Sequence, residues 1–480
     1  MSTAPLNYTP GARFAHRSDA AIKDPLLRTS FRGAMDFLQA KRRTQFPDPD
    51  ALETLRSEAE AIRRYSLSRL PDLLEQLEGK LTANGIAVHW AETPDEANRI
   101  MLEIIRRHDA HLLLKGKSMV SEEVGFNHAM EAQGLEALES DMGEFIVQLA
   151  GEAPSHIIMP AIHKTKQQIA ELFHDKLPGV PYTENVDELI ATGRKILRQK
   201  FAAADIGISG VNFLVAETGT LCLLENEGNG RMCTTVPRVH IAITGIEKVV
   251  EKLEHIAPLF TALTRSATGQ PVTTYLNLIS GPRQPGEKDG PDEVHLVLLD
   301  NGRSQAYADQ ELRTTLQCIR CGACMNHCPI YARIGGHAYG TTYPGPVGTI
   351  ISPHLLGLAG THKLVTASSL CGACSEVCPV KIPIPQILVR LRNESQAAAP
   401  TAHPIQGTGS NHSGLMDAVW RGWALVYGQP AVYRAVSWLI SRLRFLTPSS
   451  QGAWTSCRTP MKPAPRRLRD LLADRQESQP

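Results

Sequence analysis

The sequence lacks an excess of charge, because 50 lysines and arginines are balanced by 49 aspartates and glutamates, for a formal net charge of +1. Proteins whose main partner is nucleic acid usually carry a strong basic excess, so this balance argues against that partner. The sequence also lacks an apolar run long enough to span a membrane. Residues 1–19, MSTAPLNYTPGARFAHRSD, lack the hydrophobic centre of a signal peptide. These absences predict a protein that has no transmembrane segment and is not exported.

Cysteine is concentrated in two short parts of the chain. Seven of the ten cysteines form two runs, and each run ends in a Cys-Pro pair. The first run is Cys318, Cys321, Cys324 and Cys328, and the second is Cys371, Cys374 and Cys378. The first run has the spacing C-x2-C-x2-C-x3-C-P, which bacterial ferredoxins use to hold a cubane iron–sulfur cluster. The sequence therefore predicts an electron carrier with iron–sulfur clusters.

The last cysteine of such a run ligates the other cluster when two clusters are present. Crosswise ligation predicts that one cluster binds Cys318, Cys321, Cys324 and Cys378. The second cluster would then bind Cys328, Cys371 and Cys374. Gly322 and Gly372 would let the backbone pass close to the inorganic sulfurs.

The second run is one cysteine short, since Ser368 stands where the first run has Cys318. A [3Fe–4S] cluster, a non-cysteine ligand such as Ser368 or His327, the distant Cys457 or a residue of a partner could each account for this. We favour a [4Fe–4S] cluster with an unconventional fourth ligand.

Zinc and disulfides are the competing interpretations of the cysteines. Zinc sites usually use two separated pairs of ligands rather than three cysteines at successive x2 spacings, and nothing indicates the oxidising environment that disulfides need. Cys222 and Cys233 lie in apolar surroundings and are predicted to be packing residues, while Cys457 is predicted to be a free thiol. Cysteines that are grouped to bind metal predict a protein of the reducing cytoplasm. Such a protein could still attach to the inner face of the membrane through a partner.

Composition and periodicity divide the chain into five parts. Residues 1–80 are charged and helical, and we expect a solvated arm that packs on the next domain or on a second subunit. Residues 81–300 alternate strands and helices, which predicts an α/β domain with a largely parallel sheet. Residues 301–395 hold the cysteine runs in a mostly helical ferredoxin-type domain. Residues 396–414 form a linker, and residues 415–480 form a helical region broken at 428–430.

Apolar runs in the second part predict its strands. They are IAVHWA (86–91), HLLLKG (111–116), SHIIMPAI (155–162), VNFLVA (211–216), TLCLLEN (220–226), HIAITGI (240–246) and VHLVLLD (294–300). Gly219 is placed in a tight turn between two of them. Thr93 and Ser118 each precede a helix-like segment and are predicted caps.

Several segments resemble the B subunit of the bacterial lactate-utilisation system. The resemblance covers almost the whole chain and is carried by residues 112–123, 139–164, 207–229 and 371–385, together with both cysteine runs. It implies a first domain with the NagB/RpiA/CoA-transferase-like α/β fold. It also implies a cysteine-rich A-type and an α/β C-type partner subunit, and a shared role in oxidising L-lactate to pyruvate.

The predicted function is that of an electron-transfer subunit that is not active alone. Lactate oxidation releases two electrons whereas a cluster accepts one, and the chain shows no strand–GxGxxG–helix fingerprint for a dinucleotide. The alternatives are an iron–sulfur subunit of a quinone-linked oxidoreductase and a ligand-binding assembly protein with structural clusters.

No catalytic residue is predicted with conviction. Lys115 and Lys117 could hold a small carboxylate at a helix start, or could be ordinary solvated lysines. Glu217 could line a ligand pocket, although an ordinary hairpin turn is favoured. His156 and His163 are favoured as structural residues over general bases.

Overall fold

In the computed structural model, residues 13–396, 414–452, 455 and 458–477 are described. The described residues form two compact units, one containing residues 13–395 and one containing the residues from 414 onward. Each unit is described by itself.

The strands and helices follow the predicted alternation. The strands are β1 (Ile86–Ala91), β2 (Leu112–Gly116), β3 (Glu136–Glu139), β4 (Ile206–Ser209), β5 (Phe213–Val215), β6 (Thr220–Glu225), β7 (Val239–Gly245), β8 (Val249–Val250), β9 (Tyr275–Ile279) and β10 (Glu293–Leu299). The helices are α1 (Phe14–Lys23), α2 (Pro25–Gln45), α3 (Pro49–Ser68), α4 (Leu70–Ala83), α5 (Pro94–Arg107), α6 (Met119–Glu123), α7 (Phe126–Glu131), α8 (Met142–Ala150), α9 (Lys166–Lys176), α10 (Val186–Ala203), α11 (Asn229–Thr235), α12 (Ile256–Ala267), α13 (Arg303–Ala308), α14 (Ala323–Asn326), α15 (Tyr331–Ile334), α16 (Gly345–Leu356), α17 (Leu358–Thr361), α18 (Ala373–Glu376), α19 (Ile384–Gln396), α20 (Gly414–Gly428), α21 (Pro430–Arg442) and α22 (Leu468–Glu477).

A six-stranded sheet with the order β1-β10-β7-β4-β2-β3 forms the centre of the α/β part, and every neighbouring pair is parallel. Successive side chains of a strand point to opposite faces, so apolar residues all along β10 fill two cores. Leu296 and Leu298 pack with the leucines of α4 on one face, while Val297 and Leu299 pack with α5 on the other. The predicted parallel sheet is confirmed, and the NagB/RpiA-like name remains a prediction.

A second sheet has the order β8-β5-β6-β9. Its strands β5 and β6 are antiparallel and are joined by the predicted turn, in which Gly219 has a φ of +65°. A side chain there would also collide with the backbone of Lys80, with a separation of 2.8 Å. Glycine is therefore required at this turn for two reasons.

The amino-terminal residues form helices that pack on the following part of the chain, one of the two alternatives that the sequence analysis offered, and they bury large side chains rather than lying in solvent. Phe31 of α2 is buried, and its ring meets that of Tyr331 edge-on at 5.6 Å. Arg63 of α3 is fully buried and donates hydrogen bonds to the backbone carbonyls of Gln317, Val249, Glu247 and Leu316. The helices therefore pack against both the α/β part and the cysteine-bearing part of the same unit.

Residues 301–395 are helical and contain no strand among the described residues, as predicted. The strand predicted at residues 155–162 is wrong, because this segment forms a loop. The His156 ring nitrogen Nδ1 accepts hydrogen bonds from the backbone N–H groups of Ile158 and Met159, which bends the chain. Ser155 closes the loop by donating its N–H to the carbonyl of Pro160 at 3.0 Å.

In the second unit, α20 and α21 form the predicted helical pair, interrupted at Gln429. Within α20, Trp423 stacks on Tyr427 with ring centroids 4.6 Å apart. None of the helices in the described ranges combines the length and apolar character that a membrane crossing needs. The predicted linker at 396–414 falls outside the described residues apart from its two end positions.

Candidate functional site

The two cysteine runs have the same backbone shape. Arg320 and Leu370 stand at equivalent positions and both have positive φ, at +60° and +55°. Gly322 and Gly372 follow two residues later with φ of +74° and +87° and lead into α14 and α18. Glycine is preferred in this left-handed region because it has no Cβ. The second run is thus a structural repeat of the first.

The thiols fall into two groups according to which of them interact electrostatically. Cys318, Cys321, Cys324 and Cys378 form the first thiol group. Cys328, Cys371 and Cys374 form the second thiol group. These are the sets that crosswise ligation predicts, although ligation itself remains a prediction.

The environment of the thiols suits an iron–sulfur cluster better than zinc. Tetrahedral zinc with 2.3 Å bonds would bring its sulfurs to about 3.8 Å from one another. Among the described residues, no three cysteine sulfurs lie within 4.8 Å of one another. Burial raises the pKa of Cys374 and Cys378 to about 11, so at neutral pH these groups are protonated thiols until a cation binds.

Backbone N–H groups are directed at the sulfurs. Arg320 donates to Sγ of Cys318 at 3.4 Å, and Ile382 donates to Sγ of Cys378 at 3.4 Å. In the second thiol group, Tyr331 donates to Sγ of Cys328 at 3.5 Å. Such donors stabilise negative charge on cluster sulfurs and help to set the reduction potential.

Cationic side chains from outside the runs hold the first thiol group in place. Arg56 of α3 donates to the carbonyls of Cys378 at 3.0 Å and Ser375 at 3.3 Å. Lys248 donates from Nζ to the carbonyl of Cys318 at 3.2 Å. Residues that are distant in sequence therefore hold the backbone of each run in place.

The second thiol group reaches the surface, since Cys371 is exposed. Of the residues proposed to complete it, Ser368 accepts the N–H of Leu370 on its Oγ at 3.1 Å. His327 uses its ring Nδ1 for the carbonyl of Ala323 at 2.9 Å. Cys457 lies outside the described residues.

A cavity of about 480 Å³ lies next to the first thiol group. Its polar wall includes Lys117 after β2, Asp141 after β3 and Lys248 after β7, so it lies at the carboxyl ends of parallel strands, where α/β folds bind ligands. Arg320, from the first cysteine run, forms part of the same wall. Burial and the nearby Arg320 lower the pKa of Lys248 to about 7, so a bound anion would favour its charged form.

Family profiles match three consecutive parts of the chain. They are described as the LUD domain at residues 74–299, the 4Fe-4S dicluster domain at residues 314–382 and the C-terminal part of lactate utilisation protein B at residues 390–477. "Lactate utilization protein B" of Bacillus subtilis (strain 168) is 38% identical over 479 residues, which cover 97% of each chain. This chain belongs to the lactate utilisation protein B family.

Another relative is the "Uncharacterized electron transport protein YkgF" of Escherichia coli (strain K12), which is 42% identical over 439 residues and 90% of each chain. A solved structure of a DUF162 family protein from Deinococcus radiodurans covers 48% of this chain at 13% identity, with a TM-score of 0.27, too low to argue a fold from. The family match and the dicluster match show that this lactate utilisation protein B homologue carries an iron–sulfur domain.

In this family member, the lysines considered for carboxylate binding are already paired. Lys115 is buried and forms ion pairs with Glu122 and, at 2.7 Å, with Glu139. Lys117 pairs with Asp141. Helix α6, which Ser118 caps, has only five residues. Lys115 is therefore engaged by two carboxylates, and of the two lysines it is Lys117 that lines the cavity.

The other candidate positions are structural. Glu217 accepts the N–H of Leu253 at 3.1 Å, away from the cavity, which fits the favoured hairpin turn. His156 is buried, hydrogen-bonds Asn326 at 2.9 Å, and has its pKa lowered to about 4 by burial. His163 bonds Ser155 at 2.7 Å and Glu152 at 2.6 Å, so both of its ring nitrogens are engaged.

Sequence reasoning missed Lys248, Arg320 and Glu144 as residues of the cavity wall. Arg320 carried a usable signal, because it is a charged residue inside a cysteine run. Lys248 and Glu144 carried none, because only the tertiary fold brings them to the cavity. Glu144 is buried, and its Oε2 has no hydrogen-bond partner among the described residues.

Replacing Glu144 by glutamine is expected to stabilise the protein at mildly alkaline pH. Burial, together with Glu139 and Asp141, raises the pKa of Glu144 well above its ordinary value. The folded state must keep a proton that the unfolded chain releases, so rising pH weakens the fold, and glutamine removes this cost. Denaturant unfolding at about pH 8 and about pH 5 should show a gain that shrinks as the pH falls.

The exposed Glu58→Gln is the control for this measurement and should show no pH-dependent gain. A Glu144→Gln protein destabilised equally at both pH values would show that the carboxyl is charged in the fold.

Proposed function

We propose that this protein is the iron–sulfur electron-transfer subunit of a multi-subunit system that oxidises L-lactate to pyruvate. Support comes from the names of two relatives, one a lactate utilisation protein and the other an electron transport protein. The observation that carries the proposal is the placement of the two thiol groups. The first lies beside a cavity with basic residues and has Cys321 and Cys378 buried, and the second reaches the surface at Cys371. Two clusters held by these thiol groups would carry electrons between the cavity and a partner protein that docks near Cys371.

The cavity is the proposed place where a small carboxylate approaches the first thiol group. Nη1 of Arg320 is buried without a hydrogen-bond partner among the described residues. The same guanidinium lies over the Tyr343 ring at 4.4 Å and meets Glu247 at 3.4 Å, which fixes its orientation. A buried donor without a partner costs free energy, and a carboxylate would satisfy it with a charge-assisted hydrogen bond.

The two-electron step needs a group that this chain does not supply. Lactate oxidation removes a hydride equivalent from C2 and a proton from the hydroxyl, whereas each cluster takes one electron. We therefore assign the two-electron acceptor to the partners, a cysteine-rich A-type subunit and an α/β C-type subunit. This chain relays electrons from that acceptor.

The relay is tested on anaerobically purified protein by EPR and by iron and sulfide analysis, with and without lactate and the two partner subunits. We expect dithionite-reducible clusters that lactate reduces only when the partners are present. Reduction of the clusters by lactate in the isolated chain would overturn the relay role. A colourless preparation that binds only zinc would overturn the electron-transfer function.

Replacing Arg320 by glutamine is expected to weaken the binding of pyruvate about tenfold or more, because one charge-assisted hydrogen bond is lost. Calorimetric titration under anaerobic conditions measures this affinity. Iron content is measured in parallel and should stay unchanged, which separates loss of the ligand from loss of the cluster. Arg238→Gln, at an exposed arginine outside the cavity, is the matched control. If the wild type, Arg320→Gln and Arg238→Gln bind pyruvate with equal affinity, the cavity is not the carboxylate-binding site.

A further inference from the structure

We propose that Ser368 is the fourth protein ligand of the second cluster and binds iron through its Oγ. The proposal rests on the two-cluster function above and assigns the position that the cysteine count leaves open. Three observations on the described residues support it.

The first observation is register. Cys321, Cys324 and Cys328 correspond to Cys371, Cys374 and Cys378, and Cys318 corresponds to Ser368. The two runs share positive φ at the positions of Arg320 and Gly322, and each then enters a four-residue helix. The repeat therefore gives Ser368 the backbone position that Cys318 has in the first run.

The second observation is the hydrogen bond to the side chain itself. The N–H of Arg320 donates to Sγ of Cys318 at 3.4 Å, and the N–H of Leu370 donates to Oγ of Ser368 at 3.1 Å. The donor lies two residues after the acceptor in both runs. A backbone N–H at this position stabilises negative charge on the ligand atom, whether thiolate or alkoxide.

The third observation is that a basic side chain fixes the backbone at both positions. Lys248 donates to the carbonyl of Cys318 at 3.2 Å. Arg392 of α19 donates to the carbonyl of Ser368 at 2.8 Å and to that of Val365 at 2.8 Å. Ser368 is therefore held in place by a long-range contact rather than left in a free loop.

His327, the other candidate inside the runs, does not fit the repeat. Its Nδ1 donates to the carbonyl of Ala323, which leaves Nε2 as the nitrogen that could bind a metal. The equivalent position of the second run is Val377, which has no ligand atom, so the first thiol group makes no use of this position. The repeat thus favours the serine.

Ligation replaces the Oγ–H bond by an Oγ–Fe bond, and the proton leaves to solvent. The alkoxide carries the same charge as the thiolate it replaces, so the electron count of the cluster does not change. Oxygen is a harder donor than sulfur and stabilises ferric iron more. The second cluster is therefore expected to have a lower reduction potential than it would have with four cysteines, since ligand identity tunes the potential.

The test compares Ser368→Ala, Ser368→Cys and the neighbouring Ser369→Ala in the full chain, purified anaerobically. Mössbauer and EPR spectra, iron content and redox titration are the readouts. Wild type and Ser369→Ala should hold two four-iron clusters. Ser368→Ala should convert one of them to a three-iron cluster with its oxidised-state EPR signal, and Ser368→Cys should keep both and raise the potential of the second.

A wild-type second cluster with three irons would overturn the assignment. So would a Ser368→Ala protein that keeps both four-iron clusters with unchanged potentials, although electron transfer as proposed would then still stand. If the alanine variant does not fold, the cysteine variant decides, because an unchanged potential in that protein contradicts ligation by Ser368. Protein without iron would instead defeat the proposed function itself.

Discussion

Replacing Cys378 by alanine is expected to remove the first cluster and leave the second in place. Cys378 belongs to the second run in sequence, but its thiol interacts with those of Cys318, Cys321 and Cys324. The reciprocal Cys328→Ala should remove the second cluster, because its thiol interacts with that of Cys371. Alanine is used rather than serine, because a serine hydroxyl is itself a ligand.

Iron and sulfide analysis and EPR of the reduced proteins distinguish the two outcomes. Cys233→Ala is the matched control, since this thiol is buried beside Ser140 and belongs to neither thiol group. It should leave both clusters intact. Loss of the second cluster with retention of the first in Cys378→Ala would show that each run ligates its own cluster.

Replacing Arg303 by methionine is expected to lower the free energy of unfolding by about 3–5 kcal/mol. Arg303 is fully buried between two carboxylates, with Glu247 at 2.7 Å and Glu123 at 2.8 and 2.9 Å. Tyr343 adds a hydrogen bond to Glu123 at 2.8 Å. Methionine fills a similar volume but leaves buried Glu123 without its cation and Glu247 with only the 3.4 Å contact to Arg320, and that desolvation cost dominates.

Urea unfolding of Arg303→Met measures this loss. Arg99→Met is the control, because Arg99 is exposed and pairs only with neighbours on its own helix, so its replacement should leave the midpoint unchanged. A second protein combines Arg303→Met with Glu123→Gln and Glu247→Gln and should recover part of the loss. If this triple variant were no more stable than Arg303→Met, packing rather than unpaired charge would explain the effect.

The parts of the structure that sequence predicts well are those governed by local rules. Strands such as β1 and β10 are visible as short apolar runs, and crosswise grouping of the thiols follows from cysteine spacing. Their pairing is not visible, because β1 and β10 are neighbours in the sheet while lying about two hundred residues apart in sequence. An apolar run also misleads at residues 155–162, where Pro160 and the His156 ring favour a loop.

The sequence predicted only the part of the candidate site that follows a local pattern. The cysteines share one short pattern, so their chemistry is readable. The cavity is assembled from segments that follow β2, β3 and β7, from the loop at 157–162, from α12 and from Arg320, and these segments share no sequence pattern. Sequence alone therefore identified the electron carrier but not the wall that would hold its substrate.

The contacts between α3 and the second cysteine run have a consequence for biosynthesis. Arg56 leaves the ribosome several hundred residues before Cys378, and in the folded protein Arg56 donates a hydrogen bond to the carbonyl of Cys378. Until the later part emerges, the nascent chain can complete neither thiol group, because each draws cysteines from both runs. Insertion of the inorganic cores should therefore be largely post-translational, and chains truncated before the second run should be substrates for proteases rather than partly loaded carriers.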